Sequence, residues 1–395
     1  MKVLILGLDG YLGWSLAKHL AATTEHTIAG VDNYNRRDWV ASIGGHSATD
    51  LPRMSERLIE FTNVYDKTVR FYRGDLCDPD FTDEVIRSFK PDAVVHLAEQ
   101  PSAPYSMLNR RACVETHTNN LIGTLNLLHS LRDHSPDAHL IKLGTMGEYG
   151  TPNVDIPEGE FELEFRGRKT PAMFPRNPGS FYHCTKVHDT VNTRLACRVW
   201  GLRSTDIMQG VVYGLRTEHE RGGAFNHALA TRFDFDAVFG TAINRFCAQA
   251  VIKHPITVYG DGEHKRGFLP LEDAMQCLTI ALDNKPEAGE YRTWNQFDKV
   301  YTINELAFAA EACAKCGVIH LPNPRAGGEH AGQHHYNPDR FKLTDLGYQP
   351  SSKLILTDIE EMVRDLRTYC RHRIEMRRDV MMPDVQWSGD RGVVR

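Results

Sequence analysis

Short apolar runs alternate with amphipathic stretches through the first 150 residues of the chain. Two of the amphipathic stretches, Gly13 to Ala21 and Asn120 to Arg132, have the hydrophobic spacing of helices. Such alternation indicates a parallel sheet with crossover helices, which is a doubly wound α/β fold. The predicted strands are Val3 to Leu6, Thr27 to Val31, Val69 to Tyr72, Ala93 to Leu97 and His139 to Leu143.

Two domains are predicted from the length of 395 residues and from a change of pattern past about residue 215. There the alternation is less regular, and glycine and proline interrupt it more often. We predict a nucleotide-binding domain over residues 1–205 and a smaller α/β substrate domain over 206–395, with an approximate, interleaved boundary. The segment from Asn35 to Asp66 is a long insertion to which the sequence assigns no role.

Charge and composition exclude several classes of protein. The formal net charge of −5 leaves no basic surplus, so no nucleic-acid partner is expected. No apolar run approaches the roughly 18 residues of a membrane span, and Met1 and Lys2 lead straight into the first strand, so we expect a cytoplasmic protein without membrane association. Cys313 and Cys316 lack the second pair of a structural zinc site, and we expect reduced thiols and no metal.

Three glycines spaced three residues apart, Gly7, Gly10 and Gly13, follow the first strand. At a strand-to-helix turn this spacing lets the backbone approach a pyrophosphate, although tight helix packing alone also uses such glycines. Asp32 ends the second strand about 20 residues on, where a carboxylate accepts hydrogen bonds from the adenosine ribose. Together these residues predict a Rossmann-type domain that binds NAD.

Arg36 and Arg37 follow the second strand, where an arginine could bind the 2′-phosphate of NADP. Asp32 would repel that phosphate, so NAD is favoured, and we expect the arginines to contact diphosphate oxygens or solvent. His96 is more simply a packed strand residue than a ligand. The predicted cofactor-binding residues are Gly7, Gly10, Tyr11, Leu12, Gly13, Asp32, Asn33, Arg36, Asp75, Leu76, Leu97, Asn119, Tyr182, Lys186 and Gln209.

Tyr182 and Lys186 are the predicted catalytic pair, because a separation of four residues places both on one helical face. A neighbouring ammonium, helped by a positive nicotinamide, is expected to lower the pKa of the phenol so that it can act as a base. Thr145 stands just past the fifth strand, where its hydroxyl could bind the same sugar oxygen. A chance pair on an amphipathic helix and a turn threonine are the structural alternatives.

These features together resemble the extended short-chain dehydrogenase/reductase family, whose members epimerise, dehydrate or otherwise modify nucleotide sugars. Within that family, longer stretches are similar to the UDP-sulfoquinovose synthases, and the similarity runs to about residue 350. The similar stretches are 99–100, 102–107, 142–152, 182–183, 186–189 and 209–214.

The resemblance implies an enzyme that makes UDP-sulfoquinovose from UDP-glucose and sulfite with a tightly held NAD. Tyr182 would remove the proton of the 4-hydroxyl while a hydride passes from C4 to NAD. The resulting ketone acidifies the C5 hydrogen, the 6-hydroxyl leaves, sulfite adds at C6, and the hydride returns to C4.

The residues after Thr145 differ from those of the family's 4,6-dehydratases, which have Asp-Glu where this chain has Met146 and Gly147. The resemblance therefore leaves His183 as the best candidate acid/base and Glu148 as a lesser one, because a histidine moves protons near pH 7. A packed, neutral His183 is the alternative. The predicted catalytic residues are Thr145, Tyr182, Lys186, His183, Met146 and Glu148.

The substrate-site candidates extend into the second half of the chain. Arg266 and Arg325 match positions where family members hold the diphosphate, and the guanidinium fork suits that ligand. The predicted substrate-binding residues are Gln100, Tyr105, Thr145, His183, Gln209, Thr241, Arg245, Tyr259, Arg266 and Arg325.

Pro101 is the main departure from the UDP-sulfoquinovose synthases, which usually have arginine there. The absence of that arginine removes a cation that is expected to help dock sulfite. Two alternatives stay open: an epimerase or dehydratase that uses no sulfite, and an inactive nucleotide-sugar or NAD-binding regulator. His330, His334 and His335 fit no strong metal pattern, and a polar loop is favoured. The resemblance also implies a homodimer.

Overall fold

The computed structural model describes residues 1–221, 223–323, 335–351, 354–382 and 387. Arg325, His330 and His334 lie outside these residues, so the predictions made for them stay predictions. No helix in the described part of the chain is long and apolar enough to cross a membrane.

The described residues form fourteen strands, most of them short. They are β1 (Lys2–Leu6), β2 (Thr27–Asp32), β3 (Val69–Arg73), β4 (Ala93–His96), β5 (His139–Thr145), β6 (Glu160–Phe165), β7 (Arg168–Met173), β8 (Arg203–Gln209), β9 (Val211–Tyr213), β10 (Ile256–Tyr259), β11 (Lys265–Pro270), β12 (Tyr291–Gln296), β13 (Lys299–Thr302) and β14 (Val318–Leu321).

Fifteen α-helices accompany these strands within the described ranges. They are α1 (Tyr11–Thr23), α2 (Asn35–Ser42), α3 (Met54–Tyr65), α4 (Pro79–Phe89), α5 (Ala103–Ser106), α6 (Arg110–His117), α7 (Gly123–His134), α8 (Phe181–Trp200), α9 (Glu218–Arg221), α10 (Ala242–Val251), α11 (Leu271–Asp283), α12 (Ile303–Ala314), α13 (Lys342–Asp345), α14 (Ile355–Tyr369) and α15 (Arg371–Met376). A π-turn, Thr118–Ile122, joins α6 to α7, and short 3-10 helices span Met146–Glu148, His227–Leu229 and Arg378–Met381.

Seven parallel strands form the central sheet, in the order β12-β8-β5-β4-β1-β2-β3. Helices cover both faces because successive strand side chains point to opposite sides. Val3 and Ile5 of β1 are in one core cluster with residues of α1, α3 and α11, whereas Leu4 and Leu6 are in another with residues of α4 and α7. The predicted doubly wound fold is therefore confirmed.

The predicted elements agree with the observed ones to within a few residues. Strand β4 ends one residue earlier than predicted, at His96, and the four other strands are longer than predicted. The helix predicted over Asn120 to Arg132 is α7, and its first predicted turn belongs to the π-turn.

The insertion after β2 folds into α2 and α3, which hold the turn that follows β1. Arg37 of α2 binds both carboxylate oxygens of Asp9, at 2.6 and 2.7 Å. The fully buried Arg57 of α3 donates to the same carboxylate at 2.5 Å and stacks on Trp14 at 4.0 Å. Two arginines on one buried carboxylate fix the position of the turn, because charge-assisted, bidentate bonds are short and directional.

The second half of the chain contributes both to the central sheet and to a separate layer. Strands β8 and β12 pair in the central sheet, whereas β13-β11-β9 and β10-β14 form two small sheets. Helices α10, α12 and α14 share their own core cluster beside these small sheets. The division near residue 205 stays a prediction.

Candidate active site

A cavity of about 520 Å³ lies at the carboxyl ends of the central strands and is bordered on its other side by the second half of the chain. Such positions are where open α/β sheets bind ligands. The predicted site residues that line it are Gly7, Gly10, Tyr11, Leu12, Gly13, Asp32, Asn33, Arg36, Asp75, Leu76, Leu97, Asn119, Thr145, Met146, Tyr182, His183, Lys186, Gln209, Thr241, Arg245, Tyr259 and Arg266.

The glycine turn has no room for side chains. Gly7 has a φ of +88°, and a Cβ added to it would lie 2.7 Å from the carbonyl oxygen of Leu97. A Cβ on Gly13 would lie 2.0 Å from the carbonyl oxygen of Gly7. The backbone is therefore bare where α1 begins, and a diphosphate could approach the helix N-terminus.

Asp32 lies at the end of β2 with its carboxylate in the cavity. The backbone N–H groups of Asp9 and Tyr34 donate to it at 2.8 and 2.7 Å. Burial, followed by the neighbouring Asp9, raises its pKa to about 6. Both oxygens are thus oriented by the backbone, which suits a carboxylate that accepts ribose hydroxyls.

Neither arginine after β2 is placed as the sequence suggested. Arg37 binds Asp9 and does not line the cavity. Arg36 lines it, but its guanidinium binds Asp234 at 2.7 Å and stacks on Phe239 at 4.3 Å. The expectation that they contact diphosphate or solvent is therefore wrong for Arg37, and Arg36 stays only as a residue at the cavity wall.

Tyr182 and Lys186 both project from the first turns of α8 and are buried. The Lys186 Nζ lies 6.0 Å from the Tyr182 ring centroid. It also donates to the carbonyl oxygen of Leu143 at 2.6 Å and pairs with Glu99 at 2.6 Å. Lys186 is thus fixed from two sides beside the phenol.

The pKa of Tyr182 is raised above its ordinary value, in contrast to the expected lowering. Burial is the main cause, and the carboxylate of Glu99 adds to it, whereas Lys142 acts in the opposite direction. The ion pair with Glu99 offsets the charge of Lys186, which explains why the lysine alone does not lower the phenol's pKa.

Thr145 ends β5, and its side chain is oriented by the 3-10 turn that follows. The backbone N–H of Gly147 donates to its Oγ1 at 3.1 Å. The hydroxyl proton is therefore free to point into the cavity, where it could donate to a ligand oxygen.

Glu148 is not among the residues that line the cavity, and its role as an acid/base stays a prediction. It is fully buried and lies in a capping box with Thr145. Its Oε2 lies 3.1 Å from the Thr190 hydroxyl, and its Oε1 lies 3.9 Å from Lys142. Both of its oxygens face buried charges and polar groups, which gives the side chain a structural role.

His183 lies against the backbone of Gly147. A Cβ on Gly147 would stand 2.3 Å from the His183 Nε2, so any side chain there would displace the imidazole. The His183 Nδ1 is within hydrogen-bonding distance of the Ser180 hydroxyl, at 3.0 Å. Met146 is buried and also lines the cavity. The glycine at 147 therefore makes the space that the histidine occupies.

Gln100 and Tyr105 are not among the residues that line the cavity, and their binding of substrate stays a prediction. The fully buried Gln100 amide donates to the carbonyl of Ser102 and to Thr116. The Tyr105 hydroxyl donates to Glu115 at 2.8 Å, away from the cavity. Both residues hold the loop after β4 in place.

The second half supplies cationic and polar groups to the cavity. Arg245 is 4% exposed; its Nη2 donates to the carbonyl of Thr257 at 3.1 Å and its guanidinium stacks on Tyr259 at 4.2 Å. Its Nε has no hydrogen-bond partner among the described residues. Thr241 caps α10, and Gln209 donates to Gln296 at 2.9 Å. Arg245 is therefore a partly satisfied cation at the cavity wall.

Two further cavity residues were not assigned a role from the sequence. Glu99 lies in a stretch that carried the family resemblance, but nothing local indicates that it would pair with Lys186. Arg232 is buried, donates to Asp234 at 3.0 Å and has an Nε without a partner in the described chain. Its partner Asp234 also binds Arg36, 198 residues away, and the sequence does not reveal that link.

Sequence comparison shows which proteins this chain is similar to. A model of the NAD-dependent epimerase/dehydratase family matches residues 3–295. The UDP-sulfoquinovose synthase of Sulfolobus acidocaldarius is 42% identical over 100% of both chains. The chloroplastic UDP-sulfoquinovose synthase of Spinacia oleracea is 42% identical over 98% of this chain and 79% of its own. The dTDP-glucose 4,6-dehydratase of Salmonella typhimurium is 25% identical over 78% of this chain and 76% of its own.

Solved structures show the same fold. The UDP-glucose 4-epimerase of Thermotoga maritima, solved with UDP-glucose, has a TM-score of 0.66 at 19% identity and covers 93% of this chain and 99% of its own. The UDP-glucuronic acid 4-epimerase of Bacillus cereus, solved with UDP-glucuronic acid and NAD, has a TM-score of 0.68 at 19% identity, with 93% and 100% covered.

Proposed function

Because the chain belongs to the NAD-dependent epimerase/dehydratase family, we propose that it is a UDP-sulfoquinovose synthase that converts UDP-glucose and sulfite into UDP-sulfoquinovose and water. The observation that carries this proposal is the imidazole of His183 in the cavity against the bare backbone of Gly147. The family's 4,6-dehydratases have a carboxylate side chain at that position. A histidine there suits both the elimination and the later addition.

The residues present fit NAD as the cofactor. The bare glycine turn suits the diphosphate, and the carboxylate of Asp32 suits the ribose of adenosine. NAD would supply hydride transfer, accepting a hydride from C4 of the sugar and returning it at the end.

Oxidation at C4 requires a base for the 4-hydroxyl, and Tyr182 is that base in this proposal. Lys186 lies 6.0 Å from the phenol ring, and because Glu99 offsets its charge, it would stabilise the phenolate together with the positive nicotinamide of a bound NAD. Thr145 donates a hydrogen bond to the same sugar oxygen, which orients the hydroxyl for transfer of its proton.

His183 moves the protons of the elimination and the addition. The C4 ketone acidifies the C5 hydrogen; His183 accepts that proton and passes it to the 6-hydroxyl, which leaves as water as the C6–O bond breaks. Hydrogensulfite then forms the C6–S bond through its sulfur lone pair, and its proton passes through His183 to C5. An imidazole suits both directions because its ordinary pKa lies near neutrality.

Arg245 and Arg266 hold the diphosphate of the substrate in this proposal. Both line the cavity on the side away from the glycine turn. The unpartnered Nε of Arg245 supports an anionic ligand, since a buried guanidinium N–H is costly without an acceptor. Sulfite as the nucleophile, a homodimer and a cytoplasmic location are further parts of the proposal.

An epimerase or dehydratase without sulfite is the second candidate, and Pro101 is the observation that favours it. Pro101 lines the cavity and offers neither a charge nor a hydrogen-bond donor. An anionic nucleophile would then depend on the other cations of the cavity.

Mass spectrometry of the products from UDP-glucose and NAD, with and without sulfite, separates the candidates. A sulfonated nucleotide sugar formed only with sulfite is the expected result. An epimer or a dehydrated sugar regardless of sulfite would support the second candidate, and no product at all would support an inactive regulator. Light scattering that showed only monomer at micromolar concentration would contradict the homodimer.

A further inference from the structure

Three potential metal ligands converge outside the cavity, on elements far apart in the sequence. His19 lies on α1, His219 on α9 and Glu272 in the first turn of α11. One ligand atom from each lies within 4.8 Å of the other two. None of the three lines the cavity, so the proposed reaction gives this cluster no role.

His19 is the fixed member of the cluster. Its side chain is 9% exposed, and its Nδ1 has no hydrogen-bond partner among the described residues. The nearest carboxylate oxygen, Oε1 of Glu272, is 3.8 Å away. That distance is too long for a hydrogen bond, so the buried Nδ1 of His19 faces the other two groups without a hydrogen-bond partner among the described residues.

The donor atoms of the cluster suit a cation. Glu272 brings a carboxylate oxygen to within 3.8 Å of the His19 Nδ1, and an imidazole nitrogen coordinates a metal through its lone pair. The neighbouring Lys18 pairs with Glu220, so its ammonium does not take the place of a metal ion beside Glu272.

Glu272 is positioned by the segment that carries His219. Its Oε2 accepts from the backbone N–H of Glu218 at 2.7 Å, which leaves Oε1 towards His19. The rings of His19 and His219 are 5.7 Å apart between centroids. A small movement of the exposed His219 and the partly exposed Glu272 would bring three donors to the spacing of about 3.4 Å that a tetrahedral zinc ion requires.

We propose that His19, His219 and Glu272 form a structural site for a divalent transition-metal ion of the zinc class, completed by water. Two imidazoles and a carboxylate are a donor set that zinc accepts and that calcium and magnesium do not favour. The ion joins the segment of α9 to α1 and α11. Because it binds the folded chain, it stabilises the fold through ligand linkage. The ligands are separated by up to 253 residues, so no local spacing in the sequence predicts the site.

Zinc chloride and cobalt chloride are the probes for this site. Untagged protein with a fixed NAD content is titrated with zinc by calorimetry, and bound cobalt is followed by its visible absorption, which is strong in tetrahedral geometry. We expect one ion per chain, a tetrahedral cobalt spectrum, and a melting temperature that rises with zinc.

The His219→Ala variant removes an exposed ligand without opening the core, and His372→Ala is the matched control because His372 is also exposed and lies on α15. His219→Ala and Glu272→Gln should each weaken zinc binding at least about tenfold, since even an outer-shell partner costs that much. His372→Ala should bind zinc as the parent does. Equal binding by all variants, or no saturable zinc binding by the parent, would overturn the site.

Discussion

Two buried ionic clusters lie against helix α8, and they differ in how completely their charges are paired. The first, called here the structural cluster, consists of Lys142, Glu148, Thr190 and Asp206. The Lys142 Nζ lies 3.3 Å from both carboxylate oxygens of Asp206, and Thr190 donates to Asp206 at 2.7 Å. All four side chains are fully buried. Lys142 faces both carboxylates, and Arg176 supplies a second cation 3.8 Å from the Oε2 of Glu148. Each charge in this cluster therefore has an opposite charge beside it.

The second, called the catalytic cluster, consists of Glu99, Tyr182, Lys186 and Asp189. Lys186 pairs with Glu99 at 2.6 Å, but neither carboxylate oxygen of Asp189 has a hydrogen-bond partner among the described residues. The pKa of Asp189 is raised well above its ordinary value by burial first and by Glu99 second. This cluster therefore has one more carboxyl group than its lysine neutralises.

The difference indicates two uses for buried charge. Complete pairing holds β5, β8 and α8 together, because breaking such a pair leaves an uncompensated ion. Incomplete pairing leaves the protonation of the phenol and the carboxyl groups adjustable, which is common at catalytic sites. Changes in the catalytic cluster should therefore alter activity, and changes in the structural cluster should alter stability.

Tyr182→Phe tests the catalytic cluster most severely. Without the phenol no base removes the proton of the 4-hydroxyl, so sugar oxidation should fall by about 10² to 10⁴-fold. UDP-glucose binding should persist because the ring remains. Product formation by mass spectrometry and binding by calorimetry check this prediction. Unchanged turnover would refute the assignment.

Lys142→Met tests the structural cluster. It leaves Asp206 and Glu148 buried without their cation, so the free energy of unfolding should fall by about 3–5 kcal/mol. Lys169→Met is the matched control: Lys169 is 56% exposed and pairs with Glu162, and such a pair contributes at most about 1 kcal/mol. Urea unfolding measures both variants. Equal losses would show that the structural cluster does not depend on its lysine.

Gly147→Ala acts on the turn that joins the structural cluster to the cavity. The new Cβ would meet the His183 imidazole at 2.3 Å and displace it. A misplacement of about 1 Å costs on the order of 10²-fold in rate, and here it should slow sulfonation more than oxidation at C4. Gly223→Ala is the control, because a Cβ there meets no atom within 4 Å. Equal slowing of both steps would remove His183 from the elimination and addition.

Glu99→Gln tests whether the catalytic cluster adjusts the phenol. The carboxylate of Glu99 raises the pKa of Tyr182, so its removal should lower that pKa. Because the phenol must lose its proton to act, the acid side of the pH profile of turnover should move to lower pH. Glu84→Gln, which changes an exposed carboxylate, is the control. A profile that stayed in place would mean that Glu99 only positions Lys186.

The parts of this site that the sequence predicts are those set by local geometry. Gly7 and Gly13 follow from a turn of fixed size, and Tyr182 and Lys186 follow from the helical repeat. The orientation of Gln100 does not follow from the sequence, because the path of a loop after a strand depends on contacts such as Thr116, 16 residues away.

Residues whose roles depend on distant partners could not be predicted. Arg57 meets Asp9 across 48 residues. Glu148 was taken as a cavity residue because the sequence does not show on which side of the turn a capping carboxylate lies. Its partners, Lys142 and Thr190, come from β5 and α8 and meet only in the folded sheet.

The same substitution placed in each cluster gives the sharpest comparison, and its effect at Asp189 is the smallest expected. The raised pKa of Asp189 means that the folded chain keeps a proton that the unfolded chain loses above about pH 3.9. That carboxyl therefore lowers stability increasingly as the pH rises from about 3.9 towards its folded pKa. An amide does not titrate, so Asp189→Asn should change the free energy of unfolding little near pH 4, and the difference should move in the variant's favour towards neutral pH.

Asp206→Asn should behave in the opposite way. Burial raises the pKa of Asp206, but Lys142 and the hydrogen bonds from Tyr291 and Thr190 together outweigh it and lower that pKa, so this carboxylate is ionised and supports its lysine. Its loss should cost about 3–5 kcal/mol at neutral pH and less as the pH falls below about 3.9, where the unfolded carboxyl is protonated. Urea unfolding at several pH values measures both variants. If Asp189→Asn proved as costly as Asp206→Asn at neutral pH, Asp189 would be ionised and paired, and the two clusters would not differ in kind.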